Sequence, residues 1–254
     1  MNLSIVVPLF NEQESLQELH DWIVRVVTAH QFTYEIIFID DGSKDNSWSK
    51  IQALRAQNPC VKAIRFRRNY GKSPALQLGF EHASGEVVIT MDADLQDSPD
   101  EIPDLYRMIH EEGYDLVSGW KQKRYDNAFT KNLPSKLYNY TNRVISGIQL
   151  HDMNCGLKAY KNKVVKSIEV YGEMHRFIPI YASWAGARVA EIPVDHHART
   201  MGKSKYGISR TVKVVFDLMT IKFMAEYHTK PIYVFGTFGM IAFFVSIFSG
   251  LYAL

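Results

Sequence analysis

The chain has 254 residues, enough for one large domain or for one domain with a small appendage. Its 29 Lys and Arg against 27 Asp and Glu leave a formal net charge of +2 and no charged tail. That balance argues against a nucleic-acid partner, because nucleic-acid-binding domains concentrate positive charge. Cys60 and Cys155 lie far apart without zinc-like spacing and read as reduced thiols of a cytosolic body.

In chain order, LSIVVPL at 3–9 is a short apolar run suited to a buried strand, and no signal peptide is read in it. Residues 11–30 carry Leu16, Leu19, Ile23 and Val26 at helical spacing, and Asn11 with Glu14 three places on resembles a capping box. A strand over 34–39, the turn DDGSKDNS and a helix over 47–57 follow. Next come a strand over 61–66, a helix over 73–83 and the strand-like run GEVVITMDAD. Ser98 and Pro99 with Glu101 mark a helix start, and 115–118 is a further strand. Alternating strands and helices predict an α/β fold with a mostly parallel, Rossmann-like sheet covered on both faces. Ligands of such sheets bind beyond the strand carboxyl ends, which places Asp40, Asp41, Asp92 and Asp94 on one rim.

The stretch 120–150 is basic and aromatic, with apolar residues at helical spacing over 136–148, and 207–224 repeats that pattern. A basic amphipathic helix lies in a membrane interface or packs on a protein body, and both readings stand for these two. Residues 231–254 contain no charged side chain, whereas a bilayer-spanning helix needs roughly 20 apolar residues. Lys222 and Lys230 precede that segment, and the positive-inside tendency then places the body in the cytoplasm. The predicted organisation is a cytosolic body over 1–206, an amphipathic juxtamembrane helix over 207–230 and a transmembrane helix over 231–254.

The run VITMDADLQDSP ends a strand in Asp92, Asp94 and Asp97, whose like charges repel. Asp92 and Asp94 are two apart and can converge on one hard cation, Mg2+ or Mn2+, with Gln96 adding a carbonyl oxygen. The plainer reading is a solvated acidic turn, with Asp97 a cap or turn residue. Asp40 and Asp41 are adjacent and should do separate jobs. One reading is a hold on ribose hydroxyls or a base N–H, the other a turn cap by Asp41 with Gly42 and Ser43. PLFNEQES after the first strand has no dinucleotide-binding glycine pattern, and NYGKSPA lacks the earlier glycine of a Walker loop. His196 and His197 are adjacent, without other ligands at metal-binding spacing.

In this order VVPLFNE, IIFIDDGSKDNS, RRNYGKSPAL, DADLQDSPDEIP, DMNCGLKAY and HHARTMGKSKYG make a specific set. The chain resembles family 2 glycosyltransferases of the GT-A fold, and within them the polyprenyl-phosphate glycosyltransferases. The resemblance implies that Pro8, Asn11, Glu12, Asp40 and Asp41 bind the nucleotide, with Gly71 and Lys72 beside it. It implies a Mg2+ or Mn2+ ion and the donor diphosphate at Asp92, Ala93, Asp94 and Gln96. It places Asp152 near the sugar or acceptor, and Arg199, Lys203 and Ser204 in a basic loop near the phosphates. The family often carries an Arg after the strand at 115–118, where this chain offers Lys121, Lys123 and Arg124.

The implied reaction is inverting transfer of a sugar from a nucleotide-sugar, with a lean to a UDP donor, onto a polyprenyl phosphate such as undecaprenyl phosphate. Asp94, Asp152, Arg199 and Lys203 would carry the chemistry, with Asp152 positioning or acting electrostatically. Lys121, Arg124, Arg199, Lys203 and Ser204 would face the acceptor phosphate. The resemblance further implies an inner-membrane enzyme facing the cytoplasm, a homotetramer, and in many relatives a second membrane helix beyond a span such as 231–254. Three other readings stay open: a GDP-mannose-dependent polyprenyl-phosphate mannosyltransferase, a processive polysaccharide synthase, and a non-catalytic nucleotide-sugar-binding membrane protein. A Gln-x-x-Arg-Trp segment, which would favour the synthase, does not occur in the sequence.

Overall fold

The computed structural model describes residues 1–122, 148, 150–197, 220, 223–224, 227 and 230–253. They fall into two compact units, Met1–Lys205 and Tyr206–Leu254. The first unit opens with β1 (Leu3–Leu9), α1 (Leu16–Ala29), β2 (Tyr34–Asp40), α2 (Ser47–Gln57), β3 (Val61–Arg65), α3 (Lys72–His82) and β4 (Val87–Thr90). A short 3-10 turn, Pro99–Glu101, runs into α4 (Ile102–His110), followed by β5 (Leu116–Trp120) and β6 (Lys158–Lys161). Then come α5 (Asn162–Ser167), a second 3-10 turn at Met174–Arg176, α6 (Ile178–Trp184) and β7 (Val189–Pro193).

The strands form one seven-stranded sheet in the order β3-β2-β1-β4-β6-β5-β7. β1 pairs in parallel with β2 and β4, β2 with β3, and β5 with β7. β6 runs antiparallel between β4 and β5. All strands but β6 therefore point one way, and the carboxyl ends of β1, β2, β4 and β5 meet the amino end of β6 on one rim. This is the mostly parallel α/β sheet that the sequence predicts.

Both faces of the sheet are covered, which is why its central strands are apolar at most positions rather than at alternate ones, with Ser4, Glu35, Asp40 and Thr90 as buried exceptions. Every residue of β1 is buried. Ile5, Val7, Ile36, Phe38 and Ile89 pack on one face with Leu19 and Ile23 of α1, Ile51 of α2 and Leu105 of α4. Val6, Ile37, Ile39 and Val88 pack on the other with Leu76 and Phe80 of α3, Val164 of α5 and Ile178 of α6. Each such apolar side chain contributes about 1.5–3 kcal/mol on burial. Gly79 sets how closely α3 approaches, since a Cβ there would stand 2.3 Å from Val6 Cγ1. That contact pins α3 over β1 and holds its first turn at the rim.

Two local expectations are corrected. Helix α1 begins at Leu16, and Asn11 does not form a capping box with Glu14. Asn11 has a left-handed backbone, φ +54, and its side-chain oxygen accepts the Lys44 N–H at 2.8 Å. The turn after β2 is capped by Asp40, whose Oδ1 accepts the Ser43 N–H at 2.8 Å, and not by Asp41. The start at Ser98 is as read: its Oγ accepts the Asp100 N–H at 3.2 Å, ahead of Pro99.

In the second unit α7 (Ile232–Ala253) has 22 residues, about 33 Å at the rise of an α-helix. Its stretch Ile232–Tyr252 is long and apolar enough to cross a membrane, and none of it is buried against protein. The amphipathic helices expected over 136–148 and 207–224 fall almost wholly outside the described residues.

Candidate active site

The loops after β1 and β2 are stitched together on the rim. Asn11 N–H donates to Ser43 Oγ at 2.9 Å and Glu12 N–H to Ser47 Oγ at 3.0 Å. Gln13 N–H donates to Asp45 Oδ2 at 3.3 Å, while Gln13 Oε1 accepts the Asn46 N–H at 2.9 Å. Asp40 and Asp41 do separate jobs. Asp40 is buried in the Ser43 turn, with Arg65 Nε 3.3 Å from its Oδ2. Asp41 reaches across to the loop before α3, accepting the N–H groups of Tyr70 at 2.7 Å and Gly71 at 2.9 Å. Burial pushes the Asp41 carboxyl up, against the pull of those two hydrogen bonds. Gly71 needs its glycine, having φ +98. Phe10, Lys44, Arg65, Arg67 and Arg68 help to line a cavity of about 710 Å³ beside these loops.

At the end of β4, Asp92 and Asp94 are half-buried and Ala93 is buried. Asp94 Oδ1 accepts the Gln96 N–H at 3.2 Å across Leu95, which holds the unusual φ of +59. Left-handed backbone at a buried leucine is costly, and such strain concentrates where a loop must aim functional groups. Gly156, just before β6, closes the back of this loop. A Cβ at Gly156 would stand 2.6 Å from Asp92 Oδ2 and 3.0 Å from Asp97 Oδ2.

The repulsion among these acids is met by lysines. Lys72 Nζ pairs with Asp92 Oδ1. Burial works to raise the Asp92 carboxyl, but Lys72, then Lys121 and Lys158, overcome it and hold the group down at about 2. Asp97 is fully buried, with Lys121 Nζ 2.6 Å from its Oδ1. Burial alone would lower the Lys121 ammonium, and Asp97 reverses this, keeping it charged. Lys158 is buried at the start of β6 and donates to the Cys155 carbonyl. Burial pushes Lys158 down and the neighbouring Cys155 thiol up to about 12. Lys121, expected at the acceptor phosphate, is here committed to Asp97.

Asp152 is buried on the same rim, its Oδ1 accepting the Asn154 N–H at 3.1 Å. Next to it His151 stacks on Trp120 with ring centroids 4.3 Å apart and pairs through Nδ1 with Glu191. His196 and His197 sit against the acid loop: Asp97 and His196 form a β-bridge, and His197 N–H donates to the Gln96 carbonyl at 3.0 Å. Pro8 lies within buried β1. The rim thus gathers Asn11, Glu12, Asp40, Asp41, Gly71, Lys72, Asp92, Ala93, Asp94, Gln96, Lys121 and Asp152 from five strand ends and the start of α3. Arg124, Arg199, Lys203 and Ser204 lie outside the described residues.

His175 belongs to this neighbourhood too, held against the first turn of α3. Ser73 in the first turn of α3 is fully buried and bonds the His175 ring at Nδ1 at 2.9 Å and its N–H at 3.1 Å. Burial, with Lys72 and Arg176 nearby, pushes the imidazole down to about 2. The folded protein therefore keeps His175 neutral, while the unfolded chain protonates it below about pH 6.5. Stability is expected to fall as pH drops below that value, by up to about 1.4 kcal/mol per pH unit from this group. His175→Asn should flatten that slope in urea unfolding between pH 7 and 5; parallel slopes for the two proteins would contradict this.

Hard carboxylate oxygens at Asp92 and Asp94, in a loop that Gly156 leaves just enough room for, suit Mg2+ or Mn2+. Among the described residues no three His, Cys, Asp or Glu side chains cluster to hold an ion alone. An ion here would complete its shell with water or phosphate oxygens, as Mg2+ commonly does.

Comparison with known proteins identifies the family. The glycosyl transferase family 2 profile matches residues 4–169. The chain is 36% identical over 243 residues to dodecaprenyl-phosphate galacturonate synthase of Rhizobium johnstonii, covering 94% of this chain and 72% of that protein. It is 42% identical over 219 residues to undecaprenyl-phosphate 4-deoxy-4-formamido-L-arabinose transferase of Shewanella sediminis, covering 86% and 66%. Among solved structures, a mannosyltransferase of Pyrobaculum calidifontis with GDP-Man and Mn2+ superposes with TM-score 0.63 at 19% identity, covering 88% of this chain and 63% of that one. Glucosyl-3-phosphoglycerate synthase of Mycobacterium tuberculosis with Mn2+, UDP and phosphoglyceric acid does so with TM-score 0.65 at 18% identity, covering 87% and 77%. At those identities the two structures speak for the fold alone. The chain belongs to glycosyl transferase family 2, and its relatives within that family include glycosyltransferases of polyprenyl phosphates.

Proposed function

We propose that the protein transfers a sugar from a nucleotide-sugar, of the UDP class, to the phosphate of a polyprenyl phosphate, undecaprenyl phosphate in a bacterial membrane. The observation that carries this reading is the pairing of Asp92 with Lys72 and of Asp97 with Lys121 on the rim that also carries Asp94 and Asp152, the rim to which the loops lining a basic cavity belong. The polyprenyl-phosphate relatives support the acceptor class.

In this reading the nucleoside enters the cavity at Phe10, Lys44 and Arg68, whose volume suits a small-molecule site. Gly42, Ser43 and Asn69 also line the cavity, next in the chain to the hydrogen-bonded Asp41, Tyr70 and Gly71. Asp92, Asp94 and Gln96 would hold a divalent ion, Mg2+ or Mn2+, whose chemistry when bound would be to offset negative charge on a diphosphate leaving group. A phosphate oxygen of the lipid attacks the anomeric carbon as the bond from that carbon to the diphosphate oxygen breaks, which inverts the centre. The attacking oxygen is already anionic near neutral pH, so no strong base is needed. Asp152, buried and bonded to the Asn154 N–H, then positions the substrates. To Arg199 and Lys203 we assign the role of fixed positive charge for the leaving group, and to Arg124 and Ser204 that of binding the acceptor phosphate.

A lipid acceptor requires the site to work at a bilayer. We assign residues 1–206 to the cytosolic catalytic body, 207–230 to an interface helix and 231–254 to a membrane span, in the inner membrane. Purified protein in detergent with undecaprenyl phosphate, Mn2+ and a panel of labelled UDP- and GDP-sugars tests the reading. Label is expected in the lipid with a UDP-sugar. Transfer from GDP-mannose alone would replace the donor class, and label entering a growing polysaccharide would replace the acceptor.

A further inference from the structure

Lys72 is in an unfavourable place for a lysine. It is the first residue of α3, directly after Gly71, where its charge faces the positive end of the helix dipole. The helix cannot slide to relieve this, because Gly79 is pressed against Val6. The ammonium instead lies on Asp92 Oδ1, with 32% of the lysine side chain and 37% of the carboxylate exposed. Among the described residues, Lys121 pairs with Asp97 and Lys158 donates to the Cys155 carbonyl. Lys72 therefore occupies the oxygen that a divalent ion would take.

We propose that Lys72 is a resident counter-ion that holds Asp92 in the ligand-free protein and must leave it when a divalent ion binds. The inference rests on reading Asp92 and Asp94 as the metal-holding pair. Competition with Lys72 then weakens the affinity of the free protein for the ion. The displaced ammonium, on its long flexible stem, stays on the rim and pairs with the diphosphate that accompanies the ion. One charge leaves the carboxylate as two arrive, and the freed charge meets a phosphate anion. Ion and diphosphate accordingly bind together, each strengthening the other.

The test is Mn2+ binding to the full chain in detergent, read by the electron paramagnetic resonance of free Mn2+, without nucleotide and then with UDP. Lys72→Met keeps the stem and removes the charge. Without UDP, Lys72→Met is expected to bind Mn2+ about tenfold more tightly than the wild type. UDP should strengthen Mn2+ binding more in the wild type than in the variant. In EDTA the variant should melt below the wild type, and Mn2+ should restore it, because Asp92 then regains a counter-charge. Lys72→Arg should keep the weak wild-type affinity. If Lys72→Met does not fold, Lys72→Gln carries the same comparison. Equal or weaker Mn2+ binding in the charge-removed variant would overturn the inference while leaving the metal site in place. No Mn2+ binding in any form, even with UDP, would instead overturn the metal reading beneath it.

Discussion

Asp94→Asn is expected to lower sugar transfer by about 10²–10³-fold while the melting temperature stays near that of the wild type. The side chain is half-buried at the rim, and its Oδ1 accepts the Gln96 N–H at 3.2 Å. Asparagine keeps an oxygen in that place, so the loop around Leu95 keeps its shape. What disappears is the negative charge that would hold a divalent ion against a diphosphate leaving group. Initial rates at saturating donor, read beside a melting curve, check both halves of the expectation. A rate within tenfold of wild type would remove Asp94 from the chemistry, whereas a large fall in melting temperature would make it structural.

Lys121→Met is expected to have the largest effect on stability, a loss of about 3–5 kcal/mol. Asp97 is fully buried, and the Lys121 ammonium 2.6 Å away is held with little exposure. Removing the lysine leaves a buried carboxylate beside Asp92, with Gly156 packed against both. Asp97→Asn in the same chain should recover much of the loss, since a neutral amide needs no counter-charge. Urea unfolding of the single and double variants gives the coupling between the two sites. Additive losses would show that the pair does not act as a unit.

The repeated apolar runs made the first half of the fold legible. Strands buried on both faces read as unbroken hydrophobic stretches, and β1 at Leu3–Leu9 and α2 at Ser47–Gln57 fall where the pattern places them. The second half was harder for identifiable reasons. β6 is a four-residue strand with lysine at each end, and the buried one, Lys158, is tolerated because the Cys155 carbonyl receives it. β7 is half-buried from Val189 to Ile192, exposed at Pro193, and shows no alternation. The acid loop was visible as chemistry, but its neutralisation was not. Lys72 and Lys121 are 20 and 24 positions from the acids they pair with, and only the sheet order brings them there. Asn11 resembled a helix cap because its true partner, the Lys44 N–H, comes from the neighbouring loop.

That cross-loop stitching bears on how such a protein can be re-engineered or can diverge. Asn11, Glu12 and Gln13 form hydrogen bonds across to Ser43, Lys44, Asp45, Asn46 and Ser47 of the neighbouring loop. Each segment is the other's scaffold. A chimera that imports the first segment alone from a relative orphans the donors and acceptors of the second, and the reverse exchange does the same. The two therefore behave as a single transplantable cassette, with residues 10–13 and 43–47 inherited, varied or grafted together.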